Sequence, residues 1–113
     1  MDCLFCKIIN REIPSEIIYE NEFIVVIKDI KPVAPIHVLI IPKKHFANIL
    51  EVGPEEEQVL LEIHRGIRKA AALTGADKDG FRLINNCGEF GGQTVYHLHF
   101  HLIGGVNMGV RLR

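Results

Sequence analysis

The stretch Tyr96–Ile103 constrains the fold more than any other part of the chain, because three histidines alternate there with apolar residues. Successive side chains of a β-strand point to opposite faces. His97, His99 and His101 are therefore predicted to share one face of a strand, while the apolar residues between them face a core. Since an imidazole can act as a nucleophile, as an acid or base, or as a metal ligand, this strand predicts either a phosphoryl-transfer site or a metal site.

Composition limits the classes of protein to which the chain can belong. Its 113 residues predict one domain, residues 1–113. With 13 basic and 14 acidic side chains the net charge is −1, which argues against general attraction to nucleic acid or to an anionic membrane. No apolar run approaches the roughly 20 residues that span a bilayer, and the N-terminus lacks the layout of a signal peptide. We therefore expect a cytoplasmic protein.

The pattern of apolar residues predicts two helices and about five strands. Helical spacing covers a short N-terminal segment, 4–10, and a long one, 54–74, which Gly75 would end. Runs of apolar and β-branched residues predict strands at 17–19, 23–27, 37–41, 81–85 and 96–103. Because most strands follow one another without a helix between them, the prediction is an α+β fold with a mainly antiparallel sheet.

The N-terminal segment carries a Cys-x-x-Cys pair, Cys3 and Cys6. Three cysteines in the whole chain are too few for a secreted disulfide framework. In a reducing compartment this spacing indicates a metal or redox pair. A thioredoxin-like redox pair opens a helix that follows a strand, and only two residues precede Cys3, so metal is the better interpretation. The alternative is two small buried apolar residues.

A polar, glycine-rich connection leads into the histidine strand. Gly91 and Gly92 can bring main-chain N–H groups close to an anion, because no Cβ obstructs the approach. Gln93 and Thr94 add a carboxamide and a hydroxyl, and Asn86 adds a second amide. Neutral donors beside imidazoles suit the oxygens of a phosphoryl group. The alternative is an ordinary hairpin loop rich in turn-forming residues.

Taken together, these segments resemble the histidine triad (HIT) family of nucleotide hydrolases and transferases. The segment from Gln93 to Ile103 resembles the family signature, and the following Gly104-Gly105 is similar to the Hint branch of nucleoside phosphoramidases. The Cys-x-x-Cys pair is similar to that of several bacterial members. The resemblance runs from Phe5 to Gly105. Its other parts are Asp29-Ile30, Pro32, Ala34, Pro35, His37, Ile41-Pro42-Lys43-Lys44-His45, Asn86 and Gly91-Gly92.

The resemblance implies an enzyme that hydrolyses purine nucleoside phosphoramidates and related conjugates of AMP or GMP. His99 matches the nucleophile, which would attack the α-phosphorus and form a covalent nucleotidyl-histidine. His101 would donate to a phosphate oxygen, while His97 and His37 would orient or polarise the nucleophile. Thr94, where the family usually has serine, would hand a proton to the leaving amine.

The resemblance also implies the nucleotide contacts. Asp29 matches the ligand of the ribose hydroxyls; without the family it is only a turn residue before a proline-containing loop. The phosphate side would be formed by Asn86, Gly92, Gln93, Thr94, His99 and His101. The apolar cleft around the purine would be formed by Phe5, Ile8, Ile27 and Ile30, which are equally typical of an ordinary core.

A structural zinc site is implied for the bacterial members. Cys3, Cys6, His45 and His97 resemble its Cys2His2 ligand set, so we expect zinc as a cofactor. His97 as a ligand would not be free for acid or base chemistry. The resemblance further implies the HIT-like fold and a homodimer whose two sheets join.

Two other functions remain open at this stage. One is another activity of the family, dinucleoside-polyphosphate hydrolysis or nucleotidyl transfer. The other is a non-catalytic zinc- or nucleotide-binding adaptor. The C-terminal segment from Val106 departs from the tryptophan- and proline-containing end of animal members, so the leaving group stays undetermined.

Overall fold

A computed structural model of the chain describes residues 3–112. The helices are α1 (Leu4–Ile9), α2 (Glu57–Thr74) and α3 (Ala76–Asp79). The strands are β1 (Ile17–Glu20), β2 (Ile24–Lys28), β3 (Ile36–Pro42), β4 (Phe81–Ile84) and β5 (Phe100–Gly104). The five strands form one antiparallel sheet in the order β1-β2-β3-β5-β4. This architecture confirms the predicted α+β fold. The predicted domain 1–113 also includes Met1, Asp2 and Arg113, which lie outside the described residues.

The sheet carries one apolar layer on each face. The larger layer lies under α2 and the smaller one under α1. Among residues 3–112 no helix is both long and apolar enough to cross a membrane. The larger layer is built from Ile24, Val26, Val38, Ile40, Phe46, Val59, Ile63, Ala70, Ala71, Ala76, Leu98 and Leu102. The smaller layer is built from Phe5, Ile8, Val25, Ile27, Leu39 and Ile41.

The predicted histidine strand 96–103 is too long at its N-terminal end. Regular pairing begins only at Phe100, and the backbone bends at residues 95–97. The physical reason is that Leu98 donates its N–H to the Phe46 carbonyl, at 2.7 Å, instead of to a neighbouring strand. The alternation nevertheless persists, because Leu98 and Leu102 lie in the layer under α2. The three histidines therefore still face the opposite side.

The long helix differs in detail from its prediction. A 3-10 turn, Pro54–Glu56, precedes the regular α-helix, which begins at Glu57. Its predicted end is confirmed, because Gly75 has φ +82°, a conformation that glycine adopts without steric penalty. Leu60 is 43% exposed on this helix, whereas its neighbour Val59 packs against the sheet.

Gly66 lets α2 lie close against the sheet. A Cβ added there would lie 2.3 Å from Ile24 Cδ1 and 3.2 Å from Ile40 Cγ2, and both isoleucines are fully buried. We expect Gly66→Val to lower the free energy of unfolding by about 1–3 kcal/mol through overpacking. The exposed Ala72→Val is the matched control and should cost less than about 1 kcal/mol. Urea denaturation measures both; equal losses would contradict the close approach.

Candidate active site and metal centre

Strand register brings the first pair of histidines together. Across β3 and β5, His37 lies opposite Ile103 and Leu39 lies opposite His101. His37 and His101 are therefore diagonal neighbours on one face of the sheet, close enough for side-chain contact. His37 Nε2 is 2.9 Å from His101 Nδ1.

Asp29 joins this pair from the end of β2. Its main-chain N–H donates to the His37 carbonyl at 3.0 Å, which extends the pairing of β2 with β3 by one residue. Its carboxylate Oδ2 lies 3.3 Å from His37 Nε2, and Oδ1 accepts the Lys31 N–H at 2.8 Å. Three predicted site residues, Asp29, His37 and His101, thus form one group.

His99 has the geometry of a neutral nucleophile. Its Nδ1 lies 2.8 Å from the main-chain carbonyl oxygen of His97, and a carbonyl can only accept, so Nδ1 carries the proton. Burial lowers the pKa of His99 below its ordinary value, against the opposing effects of the His97 carbonyl and Asp29. At neutral pH the ring is therefore uncharged, and Nε2 holds a free electron pair. The edge-on ring of Phe5 packs 4.9 Å away, between centroids.

His101 lies beside this nucleophile. The centroids of the His99 and His101 rings are 5.1 Å apart. Burial lowers the pKa of His101 to about 4, with further contributions from His99 and His37 and an opposing one from Asp29. The ring is therefore also neutral at neutral pH and carries a single proton.

A second group, the metal group, consists of Cys3, Cys6, His45 and His97. The sulfur or nitrogen atom that each could offer to a metal lies within 4.8 Å of the others. The Nδ1 atoms of His45 and His97 are 3.1 Å apart, and three of the sulfur–nitrogen distances are 3.3, 3.4 and 3.6 Å. A tetrahedral zinc ion about 2.3 Å from sulfur and about 2.0–2.1 Å from nitrogen separates its ligand atoms by roughly 3.3 Å for two nitrogens, 3.6 Å for sulfur and nitrogen and 3.8 Å for two sulfurs. The donor set and its spacing therefore fit zinc.

The protonation of the second group also fits a cation. His97 donates from Nε2 to the Pro42 carbonyl at 2.8 Å, which leaves the electron pair of Nδ1 directed at the sulfurs. Burial, and then the neighbouring Cys3, raises the pKa of Cys6 to about 11. A thiol in this setting becomes a thiolate only when a positive charge lies beside it, and a metal ion supplies that charge.

Asp29, His37 and His101 also have potential ligand atoms within 4.8 Å of one another. A main-chain contact argues against a metal at Asp29, His37 and His101. The Val33 N–H donates to His37 Nδ1 at 3.1 Å, so Nδ1 is an acceptor and the ring proton of His37 lies on Nε2. With that proton Nε2 has no electron pair for a cation. Asp29, His37 and His101 are therefore linked by hydrogen bonds and do not form a metal site. The two groups differ because the main-chain N–H of Val33 faces the ring of His37, whereas the main-chain carbonyl of Pro42 faces the ring of His97.

Within the described residues, most of the predicted phosphate donors of the glycine-rich loop are hydrogen-bonded to other groups of the protein. Gln93 is buried; its Nε2 donates to two main-chain carbonyls and its Oε1 accepts the Gly88 N–H at 2.9 Å. The Gly92 N–H donates to the Glu89 carbonyl at 3.0 Å, and the Asn86 amide donates to Gly91 at 2.7 Å. Phosphate contacts from these groups stay predictions, and their observed partners hold the loop in shape.

The remaining predicted residues fall into two environments. Phe5, Ile8 and Ile27 are buried in the layer under α1, whereas Ile30 is 93% exposed after β2 and does not belong to that layer. Thr94 is exposed at the end of the glycine-rich loop. The structure therefore brings three of the four predicted purine-cleft residues together and separates Ile30 from them.

Three functional contacts were missed by the sequence interpretation: the Val33 N–H, the Pro42 carbonyl and the His97 carbonyl. All three are main-chain groups, so residue type carries no direct signal for them. The one available hint was position, since Val33 lies in the proline-containing loop and Pro42 ends the strand that His97 approaches.

Comparison with known proteins gives matches over nearly the whole chain. A family model described as "Scavenger mRNA decapping enzyme C-term binding" matches residues 2–111. The purine nucleoside phosphoramidase of Escherichia coli K12 is 43% identical over 111 residues, covering 98% of this chain and 93% of that protein. An uncharacterised HIT-like protein of Synechococcus elongatus is 45% identical over 104 residues, 92% of this chain and 90% of the relative.

Solved structures agree with the sequence matches. A HIT family hydrolase from Clostridium thermocellum superimposes with a TM-score of 0.96 at 54% identity, covering 99% of this chain and 97% of that one. A histidine triad protein from Clostridium difficile gives a TM-score of 0.93 at 45% identity, covering 98% and 96%. Identity at this level, along with the paired histidines described above, confirms the resemblance seen in the sequence: this chain belongs to the histidine triad (HIT) family of hydrolases.

Proposed function

We propose that the chain hydrolyses purine nucleoside phosphoramidates, and related nucleoside monophosphate conjugates, through a covalent nucleotidyl-histidine. The observation that carries the proposal is the hydrogen bond from His99 Nδ1 to the His97 carbonyl, which leaves Nε2 as a free nucleophile in a neutral ring. Nε2 attacks the α-phosphorus, the P–N bond breaks, and the amine leaves with a proton. Water then hydrolyses the adduct to the nucleoside monophosphate and regenerates His99.

Neighbouring groups supply the remaining roles. His101, beside His99, donates its proton to a phosphate oxygen and so stabilises charge that develops in the transition state. Thr94 is assigned the transfer of a proton to the leaving amine, and its exposure gives it access to a substrate. His97 supports the reaction only through its main-chain carbonyl and its place in the metal group.

The substrate class is supported by a relative and by Asp29. The Escherichia coli relative, 43% identical over almost the same length, is a purine nucleoside phosphoramidase. Asp29 has two carboxylate oxygens with spare acceptor capacity, which suits the cis-diol of a ribose. Phe5, Ile8 and Ile27 are assigned to the purine side of the cleft.

Two alternatives make different predictions for the same assay. A dinucleoside-polyphosphate hydrolase or a nucleotidyl transferase of the same family would use the same histidine, and would turn over diadenosine polyphosphate faster than adenosine phosphoramidate. A zinc- or nucleotide-binding adaptor would turn over neither. The free electron pair of His99 argues against the adaptor, because a purely binding site does not require it.

Trapping the intermediate tests the reaction class directly. Incubation with a labelled adenosine phosphoramidate, rapid quenching and peptide mass analysis should locate an acid-labile AMP adduct on His99. The same preparation should consume the phosphoramidate faster than diadenosine polyphosphate. An adduct on another residue, or turnover without any adduct under conditions that trap a known nucleotidyl-histidine, would contradict the mechanism.

We also propose that Cys3, Cys6, His45 and His97 hold a structural zinc ion and that the chain forms a homodimer. Strand β4 supports the dimer, because it pairs only with β5 among the described residues and its Phe81 and Leu83 are 40% and 41% exposed. A monomeric mass by light scattering would contradict the dimer. The free cysteines suit the reducing cytoplasm, where we place the protein.

A further inference from the structure

The hydrogen bonds that link Val33, His37 and His101 determine where protons lie in the active site. Val33 donates its N–H to His37 Nδ1 at 3.1 Å, so Nδ1 is an acceptor without a proton and the proton of the His37 ring is on Nε2. That Nε2 faces two acceptors, His101 Nδ1 at 2.9 Å and Asp29 Oδ2 at 3.3 Å. Since His101 Nδ1 is the closer acceptor, it receives the proton's hydrogen bond and cannot carry a proton of its own.

His101 consequently holds its proton on Nε2. The ring is neutral at neutral pH, so it has only one proton to place. Without His37, either nitrogen of a neutral imidazole could carry that proton, since the two tautomers differ little in free energy in water. A proton on Nδ1 of His101 would point toward His37 in the interior and would not be available to a bound ligand.

We propose that His37 is a positioning residue that fixes the Nε2–H tautomer of His101, and that a ribose bound to Asp29 strengthens this effect. The inference rests on the function proposed above for the same site. It assigns His37 no contact with the substrate and gives Asp29 a second role besides holding the sugar.

The link to ribose follows from the geometry of the Asp29 carboxylate. Oδ1 accepts the Lys31 N–H, and Oδ2 competes with His101 for the proton on His37. A ribose hydroxyl that donates to Oδ2 weakens its attraction for that proton. The His37 proton then moves toward His101 Nδ1, which holds His101 more firmly as an Nε2 donor. Ribose hydroxyls therefore raise kcat as well as affinity.

Imidazole nitrogen spectra test the tautomer without any assay of activity. In protein with ¹⁵N-labelled histidine, long-range ¹H–¹⁵N spectra should show His101 with a protonated Nε2 and an unprotonated Nδ1. His37→Leu should give a mixture of tautomers, and His37→Gln should restore the wild-type pattern because its carboxamide can offer an N–H in the same region. A protonated Nδ1 in the wild type, or an unchanged tautomer in His37→Leu, would overturn the proposal.

Two variants at position 33 test whether the main-chain N–H of Val33 is required. Val33→Pro removes the N–H that fixes His37, whereas Val33→Ala keeps it and changes only an exposed side chain. The tautomer of His101 should become mixed in Val33→Pro and stay unchanged in Val33→Ala. Identical spectra for the two variants would exclude the Val33 N–H as the origin of the effect.

Kinetics test the coupling to ribose. Adenosine and 2′,3′-dideoxyadenosine phosphoramidates should differ in kcat by about tenfold with the wild type. In His37→Leu the kcat ratio should fall to near one while the KM ratio persists, and His37→Gln should recover part of it. An unchanged kcat ratio in His37→Leu would overturn the coupling. If the proposed function itself is wrong, the wild type will turn over neither substrate. That result differs from an unchanged kcat ratio in His37→Leu, which would contradict only the coupling.

Discussion

Replacing His99 by alanine is expected to lower the turnover of adenosine phosphoramidate by at least about 10⁴-fold, the scale seen when a nucleophile of a coupled catalytic group is removed. The physical reason is that no other described side chain presents a free electron pair in the same place. His97 turns its Nδ1 to the metal group, and His101 uses Nδ1 to accept from His37. Steady-state rates and adduct formation should be lost together.

The control for His99→Ala is His64→Ala, which removes an exposed histidine of α2. This control should keep turnover within about twofold of the wild type, as expected for a surface change away from the site. Both variants should keep their circular dichroism spectra, so that loss of activity is not loss of fold. If a folded His99→Ala protein retained more than a tenth of wild-type turnover, the assignment of the nucleophile would be wrong.

Removing a metal ligand is expected to have the largest effect on stability. Protein purified in reducing buffer without added zinc should contain close to one zinc per chain. Cys6→Ala should lose that zinc and lower Tm by roughly 10–20 °C, because a structural zinc site contributes several kcal/mol of folding free energy. The expected loss includes the docking of α1, a helix of six residues that is too short to be stable alone.

Cys87→Ala is the matched control for Cys6→Ala, since Cys87 is also free and partly buried but lies outside the metal group. It should keep both the zinc content and Tm. Elemental analysis and thermal denaturation measure the two quantities separately. Wild-type protein without near-stoichiometric zinc, or a Cys6→Ala variant with unchanged Tm, would exclude the structural zinc site.

Much of the fold could be predicted because its signals are local. Alternation with a period of two placed Leu98 and Leu102 on the core side, and the predicted end of α2 at Gly75 follows from one residue's backbone freedom. The start of β5 could not be predicted in this way. It depends on the hydrogen bond from Leu98 to Phe46, a partner that only the tertiary structure brings close.

The candidate site shows the same division between local and tertiary information. Residue types suggested the Cys-x-x-Cys pair and the three histidines of Tyr96–Ile103, because soft ligands and imidazoles are chemically distinctive, whereas Asp29, His37 and His45 were assigned only through the family resemblance. Residue types could not distinguish the metal group from the hydrogen-bonded group, since that depends on whether a main-chain acceptor at Pro42 or a main-chain donor at Val33 faces the ring. The role of Gln93 was similarly ambiguous from its residue type, because its carboxamide accepts from Gly88 within the loop and donates to the Ala47 carbonyl outside it.

His97 contributes to both groups with different atoms. Its ring belongs to the metal group, whereas its main-chain carbonyl accepts the proton of His99. A carbonyl is present whatever side chain occupies position 97, so substitutions there can remove a metal ligand without deleting the acceptor that orients the nucleophile. The proposed metal binding and the orientation of the nucleophile are thus separable: a variant without the Cys-x-x-Cys pair and the two histidine rings would still carry the carbonyl that orients His99.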